Sequence, residues 1–366
     1  MLEKSPPHLP EWCGGLTLSS PTYNPIERSS MNIQTLEQKL ASLGAKPAHV
    51  RRIWRAWLGR TDRAGLESGT PRLPKDVLGF LPELWDILEK AASIHSRHPG
   101  WDKESERLLI TLSDGKTIES VLLPRQGVCV SSQLGCAVGC RFCMTGRGGL
   151  LRQLTDLEIV AQVAVARALR PETRKVVFMG MGEPSHNREA VLNAVDFLAR
   201  YGEFGHKNLV VSTVGDKRLF AALEERTIRP ALAISLHSVR RNTRKMLLPK
   251  AAPLEISDII SFAGHWAELS GYPVQYEWTL VKGVNDSVEE IDELASLIKG
   301  QYAMVNFIPV NAVKGSGCER PEREHCAELV RRLKSQGIVA TLRDSAAQEV
   351  DGGCGQLRAR EVGLDG

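Results

Sequence analysis

The chain has 366 residues, a formal net charge of +4 and 42 % apolar residues. That length suits one large domain, or a large domain with a small one, and the apolar fraction supports an ordinary globular core. No stretch has the apolar length of a membrane span, so no membrane partner is expected, and the mildly basic charge permits a nucleic-acid partner without demanding one.

Residues 1–30 are rich in Pro, Ser and Gly and read as a loose tail. Met1 to Pro10 carries charges and prolines where a secretory signal would be apolar. The expected compartment is therefore the reducing cytoplasm, where clustered cysteines are metal ligands or reactive thiols. From Ile33 the pattern is helical: Leu36, Leu40, Leu43, Val50, Ile53, Trp54 and Trp57 recur at near-helical spacing, interrupted by Gly44 and Pro47. A second helix is predicted over Pro74–Ser93, giving a small helical module before residue 100. Leu108–Leu112 and Ile118–Leu123 form a predicted hairpin around Ser113-Asp114-Gly115. Val128–Ser131 leads into a cysteine-rich loop.

Strands and helices then alternate. Helices are predicted at Thr155–Leu169, Arg188–Tyr201, Lys217–Glu225, Ile256–Leu269, Val288–Lys299 and Arg323–Gln336. Strands are predicted at Val176–Met179, Leu209–Ser212, Ala231–Ser235, Gln275–Leu280, Met304–Pro309 and Val339–Leu342. Such alternation implies parallel strands with right-handed crossovers, hence an α/β partial barrel whose site lies at the C-terminal ends of its strands. The pattern leaves open whether the barrel closes.

The most informative run is Gly135-Cys-Ala-Val-Gly-Cys-Arg-Phe-Cys143. Its spacing lets Cys136, Cys140 and Cys143 hold three irons of a [4Fe-4S] cluster and leaves the fourth iron without a protein thiolate. An open iron binds a small molecule through its amine and carboxylate. A structural zinc site would need a fourth ligand; His237 is available, but there is no second C-x2-C pair. Further polar groups fall at successive predicted strand ends. Gly182 and Glu183 lie in Phe178-Met-Gly-Met-Gly-Glu-Pro184, Ser212 in Val211-Ser-Thr-Val-Gly215, Ser235 and His237 in Ser-Leu-His, and Asn311 after Asn306-Phe-Ile-Pro-Val. Taken singly, each reads as a turn, a cap or a structural histidine. Together they point to one shared site beside the cluster.

The three-cysteine motif resembles that of the radical SAM superfamily, in which the open iron binds S-adenosylmethionine (SAM). Met-Gly-Met-Gly-Glu-Pro, Ser-Leu-His, Cys129-Val-Ser-Ser-Gln-Leu-Gly-Cys136, Leu154-Thr155, Val284-Asn285-Asp286 and Asp351-Gly-Gly-Cys-Gly-Gln356 carry the resemblance further, to the RlmN/Cfr family. These are radical SAM methyltransferases acting on adenine in RNA. The similarity runs from about residue 37 onward. It implies a partial (β/α)6 TIM-like radical SAM barrel over 101–345 and a small helical accessory domain over 31–100 that contacts RNA. Residues 346–366 become a C-terminal segment with the catalytic cysteine.

The resemblance implies that Cys354 becomes an S-methylcysteine intermediate, that Glu119 is the proton acceptor, and that Cys129 resolves the adduct through a transient disulfide with Cys354. It assigns Gly182, Glu183, Ser212, Ser235, Leu236, His237 and Asn311 to SAM. The implied substrate is an adenine ring carbon, C2 in preference to C8, in 23S rRNA or tRNA, with a flavodoxin or ferredoxin as reductant and a monomeric enzyme. Alternatives are a radical SAM enzyme with a non-RNA substrate and a non-catalytic iron–sulfur RNA-binding protein. The chemistry favours the radical route, because C2 of adenine is electron-poor and cannot attack a methyl sulfonium.

Departures from the family pattern are Gly352-Gly353 where Ala-Ala is common, Cys143-Met-Thr-Gly146, and Arg147-Gly-Gly-Leu150. They leave the RNA and the ring position open. The glycines around Cys354 suggest a mobile loop. For RNA contact, Arg51, Arg52, Arg55 and Arg60 beside Trp54 and Trp57 form one candidate surface. Arg240, Arg241, Arg244 and Lys245 form another. The two tryptophans read as core in preference to stacking platforms.

Overall fold

Asn32 opens the first helix by accepting the Thr35 N–H at 2.8 Å. This computed structural model describes residues 31–313 and 315–358, so the tail expected over 1–30 and the last eight residues lie outside the described part. Four helices lead: α1 (Ile33–Ser42), α2 (Pro47–Trp57), α3 (Gly65–Ser68) and α4 (Lys75–Ala91). Gly44, at a φ of 84°, and Pro47, at the first turn of α2, punctuate them as the sequence suggested. The apolar faces of α1, α2 and α4 join the barrel in one core. Trp54 is fully buried, edge-on to Phe197 at 5.3 Å, and its indole N–H donates to Glu37 Oε1 at 3.0 Å.

Next comes an antiparallel run: β1 (Ser93–Pro99), β2 (Glu106–Thr111), β3 (Thr117–Leu123) and β4 (Gly127–Cys129). The hairpin was expected; β1 was not. The predicted second helix stops at Ala91, and Ser93–Pro99 pairs with β2 as a mostly exposed edge strand. Its Ser-Ile-His-Ser-Arg-His sequence lacks an apolar face because it has little to pack against. A short ribbon of β5 (Gln133–Gly135) and β6 (Leu150–Gln153) brackets the cysteine loop. It is followed by α5 (Asp156–Leu169), β7 (Lys175–Phe178), α6 (Arg188–Tyr201), β8 (Leu209–Thr213), α7 (Lys217–Glu224), β9 (Ala231–Ser235), α8 (Arg241–Leu247) and α9 (Ile256–Ser270). The barrel is completed by β10 (Val274–Leu280), α10 (Val288–Leu297), β11 (Ala303–Pro309), α11 (Arg323–Ser335) and β12 (Val339–Leu342).

Among the described residues the large sheet runs β1-β2-β3-β4-β7-β8-β9-β10-β11-β12, and every pairing from β4 onward is parallel. With β1 and β12 as its edges the barrel is open, which settles what the sequence left undecided. The short helix α8 and the β5–β6 ribbon carry too few turns for periodicity to expose them. No described helix is long and apolar enough to cross a membrane.

Most of the arginines proposed for RNA serve the fold. Arg52 donates to the carbonyls of Gly65, Gly69 and Pro71. Arg55 and Arg60 pair with Glu203 at 2.5 and 3.5 Å. Arg244 is buried and donates to Leu236 O and Val214 O. Trp54 and Trp57 are core, as their residue type suggested.

One strand end requires special support. Past β9 the chain enters the left-handed region at His237, with a φ of 59°. Asn285 fixes this turn: its Nδ2 donates to His237 O at 2.6 Å and to Thr279 O at 2.8 Å, while its Oδ1 accepts the Val281 N–H at 2.8 Å. His237 Nδ1 accepts the Thr279 N–H at 2.9 Å, so the ring is the neutral Nε2–H tautomer. Burial, and then the Arg244 cation, lower its pKa to about 3.

Two stability outcomes follow from this packing. Trp54→Ala should lower unfolding stability by about 3–5 kcal/mol in a urea titration, through lost burial and the cavity left behind. His237 must take up a proton on unfolding in acid, so its stabilisation is full above the ordinary histidine value of 6.5 and is lost as pH falls toward 3. Between those values the parent should lose stability faster than His237→Asn, by up to about 1.4 kcal/mol per pH unit; equal slopes would contradict a buried neutral ring.

Candidate active site

The cysteine loop is shaped by the β5–β6 ribbon. Cys136 N–H donates to Gly149 O at 2.9 Å. Gly135 turns with a φ of 80°, and a Cβ there would sit 2.1 Å from Gly149 O, so only glycine fits. Arg141 N–H to Leu247 O (3.0 Å) and Lys250 N–H to Val138 O (3.2 Å) fasten the loop to α8 and the turn after it.

Cys136, Cys140 and Cys143 all line one cavity at the C-terminal ends of the parallel strands, and Gly182, Glu183, Ser212, Ser235 and His237 line the same cavity. Ser212 Oγ and Ser235 Oγ are 3.3 Å apart. Glu183 is held in place: Oε1 accepts from Thr213 Oγ1 (2.5 Å) and Ser185 N–H (3.0 Å), and Oε2 accepts the Val214 N–H (3.1 Å). Leu236 is fully buried and outside the cavity wall; its backbone N–H donates to Glu277 O at 3.1 Å.

The residues present fit an iron–sulfur cluster. Burial pushes the Cys136 thiol up to about 12. Burial and then the neighbouring Cys143 and Cys136 push Cys140 well above its ordinary value. Three thiolates crowded in a buried loop become tenable against a cationic centre. Val138, Phe142, Val214, Leu247, Leu248, Val281 and Val310 pack around them and keep water away. Among the described residues no three His, Cys, Asp or Glu side chains converge on a point that one metal ion could occupy. A cluster needs no such point, since each thiolate takes a different iron. Asn311 adds a second sign of a ligand beside the cavity: its Oδ1 is buried with no hydrogen-bond partner.

The C-terminal segment delivers Cys354 into this cavity, where Cys129, at the end of β4, also lines the wall. Both are free thiols. Cys354 is accessible and lines the cavity. Burial raises its pKa, Ser345 donating to the sulfur opposes this, Glu277 raises it and Arg343 lowers it. Cys129 is pushed up to about 12, by burial first and then by Cys354 itself, which places the two sulfurs in one electrostatic neighbourhood. The glycines flanking Cys354 are explained by close packing. A Cβ on Gly353 would lie 2.6 Å from Gln356 Oε1 and 2.8 Å from Asn311 Nδ2, and one on Gly355 would lie 2.6 Å from Phe142 O. Of the two departures from the family pattern, Gly352 has the firmer steric reason: a Cβ there would lie 2.8 Å from Ala347 Cβ and 3.0 Å from Ala347 O, whereas at Gly353 the atoms met are the ends of side chains.

Glu119 is not among the residues lining the cavity. It is fully buried on β3; Oε1 accepts from Arg107 Nη1 at 2.5 Å and Oε2 accepts the Arg358 N–H at 2.7 Å. The carboxylate that does line the cavity is Glu277 on β10, with Asn306 Nδ2 donating to Oε1 at 2.8 Å and burial raising its pKa. Sequence reasoning passed it over because a single charged residue in Val-Gln-Tyr-Glu-Trp-Thr-Leu reads as the exposed face of a strand. The available signal was that a parallel strand covered on both sides has no exposed face.

The Radical SAM superfamily model matches residues 130–298. A protein of Dechloromonas aromatica named "Probable RNA methyltransferase" is 52 % identical over 338 residues, covering 91 % of this chain and 93 % of that protein. One of the same name from Thiobacillus denitrificans is 52 % identical over 333 residues, covering 91 % of each. Among solved structures, a radical SAM methyltransferase from Sphaerobacter thermophilus superposes with a TM-score of 0.79 at 33 % identity, over 91 % of this chain and 99 % of that one. With the cluster loop, the open parallel barrel and this extent of identity, the chain belongs to the radical SAM methyltransferase family that these relatives represent, and it is a SAM-dependent transferase.

Proposed function

We propose that the chain methylates an adenine ring carbon of RNA, C2 in preference to C8 and in 23S rRNA or tRNA, by way of a methyl carried on Cys354. The observation that carries this reading is the meeting of Cys354 and Cys129 in the cavity lined by the three cluster cysteines. The relatives named for RNA methylation supply the substrate class.

When bound, the cluster and SAM supply a 5'-deoxyadenosyl radical, using an electron from a flavodoxin or ferredoxin. Cys136, Cys140 and Cys143 hold the cluster. Glu183, Gly182, Ser212, Ser235, His237 and the unpartnered oxygen of Asn311 face SAM. The remaining work belongs to two thiols and a carboxylate. Cys354, as a thiolate helped by the Ser345 donor and the Arg343 cation, would take the methyl of a first SAM, which leaves as S-adenosylhomocysteine. Its methyl would lose a hydrogen atom to the deoxyadenosyl radical of a second SAM and add, as a carbon radical, to the ring carbon where polar displacement fails, leaving the unpaired electron on the adduct. Glu119, positioned on β3 by Arg107, takes the ring proton. Cys129 then bonds to the Cys354 sulfur and gives its thiol proton to the departing methylene carbon. The S–C bond is traded for a transient disulfide, the base leaves with a complete methyl, and the unpaired electron left on the disulfide returns to the oxidised flavodoxin or ferredoxin. The high pKa of Cys129 keeps it a neutral thiol until that step. The target adenine has to leave its stack to enter a buried cavity.

Cys354→Ala should abolish RNA methylation while keeping about four irons per chain and deoxyadenosine release from SAM. Cys129→Ala should accumulate RNA covalently joined to Cys354, seen as a band that survives denaturation. Nucleoside mass spectrometry of RNA from cells with and without the gene tests the substrate; an unchanged level of both methyladenosine isomers would contradict it.

A further inference from the structure

Trp101, in the turn between β1 and β2, is 85 % exposed, the most exposed of the large apolar side chains described. Its backbone is nevertheless firmly held. Trp101 N–H donates to Glu349 Oε1 at 2.5 Å, and Ser105 Oγ, at the other end of the turn, accepts the Ala347 N–H at 3.0 Å. The turn is thus fastened to the segment that leads to Cys354. On the same short helical turn, Gln348–Val350, the residue before Glu349 meets a second exposed group: Arg320 Nη1 donates to Gln348 Oε1 at 3.4 Å. Arg320 and Arg323 both hold Asp344, at 2.6 and 3.2 Å, with side chains 41 % and 73 % exposed. An indole and two guanidiniums therefore flank the cysteine-bearing segment.

We propose that this surface binds single-stranded RNA next to the target adenine, an unpaired base stacking on Trp101 and a backbone phosphate meeting Arg320 and Arg323. The proposal rests on the RNA reading above and adds the surface that reads the strand. A tryptophan this exposed on a fixed turn contributes little to folding, and its face is available at small entropic cost. Its neighbours along the turn, Asp102, Lys103 and Glu104, are exposed and charged. Only an unpaired base offers its face, so the platform selects single strands over duplex. Of the nearby carboxylates, Asp344 is held by the two arginines, Glu349 by the Trp101 N–H, Glu322 by Lys282 at 3.6 Å, and Asp102 by the Glu104 and Ser105 N–H groups and Ser105 Oγ; Glu104 stays exposed beside the indole. Arg323 gives Asp344 one nitrogen and keeps the rest of its fork for phosphate.

The test is fluorescence anisotropy of the cluster-loaded full chain with a short fluorescein-labelled oligoadenylate over a range of salt, alongside methylation of the RNA substrate. Trp101→Ala should weaken binding about tenfold at fixed salt, Trp101→Phe should restore most of it, and methylation of Cys354 by SAM should be unchanged. Arg320→Ala and Arg323→Ala should each reduce the slope of log affinity against log salt by about one. If the parent methylates RNA yet all three alanine variants bind oligoadenylate within about twofold of it, the platform is wrong and the RNA reading stands. If the parent neither binds nor methylates RNA, both fall together.

Discussion

The chemistry proposed for this protein depends on where residues 345–358 are tied down. Asn311 Nδ2 donates to Cys354 O at 2.9 Å, Met144 N–H to Gly355 O at 2.7 Å, Thr145 Oγ1 to Leu357 O at 2.5 Å and Arg107 Nε to Val350 O at 2.6 Å. These donors come from the sixth parallel strand, the cluster loop and the antiparallel extension, so three separate parts of the sheet agree on one position for the cysteine. They all grip backbone carbonyls. The sulfur is left with its own side-chain torsion, which suffices to turn it toward one partner or another inside a single cavity.

The same economy appears in the rest of the site. Parallel strands end on one side of the sheet, and their ends carry groups whose orientation is fixed by neighbours instead of by the ligand. Glu183 has three donors, His237 has its tautomer set by a backbone N–H, and the left-handed turn at His237 is secured by Asn285. Preorganised polar groups of this kind need little rearrangement when a charged ligand arrives. The thiols are the opposite case: burial and mutual repulsion hold them protonated until a cationic cluster takes them.

Much of this was legible because parallel strands read as short apolar runs and each is followed by an amphipathic helix; the barrel came from that alternation. The cluster loop was legible because ligand spacing is local. Asn285 was noticed only as part of a resemblance, and its structural job as the support of a strained turn requires contacts between β9 and β10. The charged neighbourhoods were misread where composition alone was the guide. Arg52 and Arg244 spend their donors on backbone carbonyls, whereas Trp101, flanked by Pro99, Gly100 and Asp102, carries no local signal of a role. Glu119 lies on β3, in the hairpin read from the sequence, but its partners, Arg107 and the Arg358 N–H, are not joined to it by any local pattern.

The central claim is that three cysteines hold a cluster with one chemically distinct iron that engages SAM. Mössbauer spectroscopy of the anaerobically reconstituted chain, with and without SAM, tests it most directly. The account predicts about four irons per chain, one of which changes its spectrum when SAM is added. Four irons that all ignore SAM, or a protein that binds a single metal ion, would contradict it.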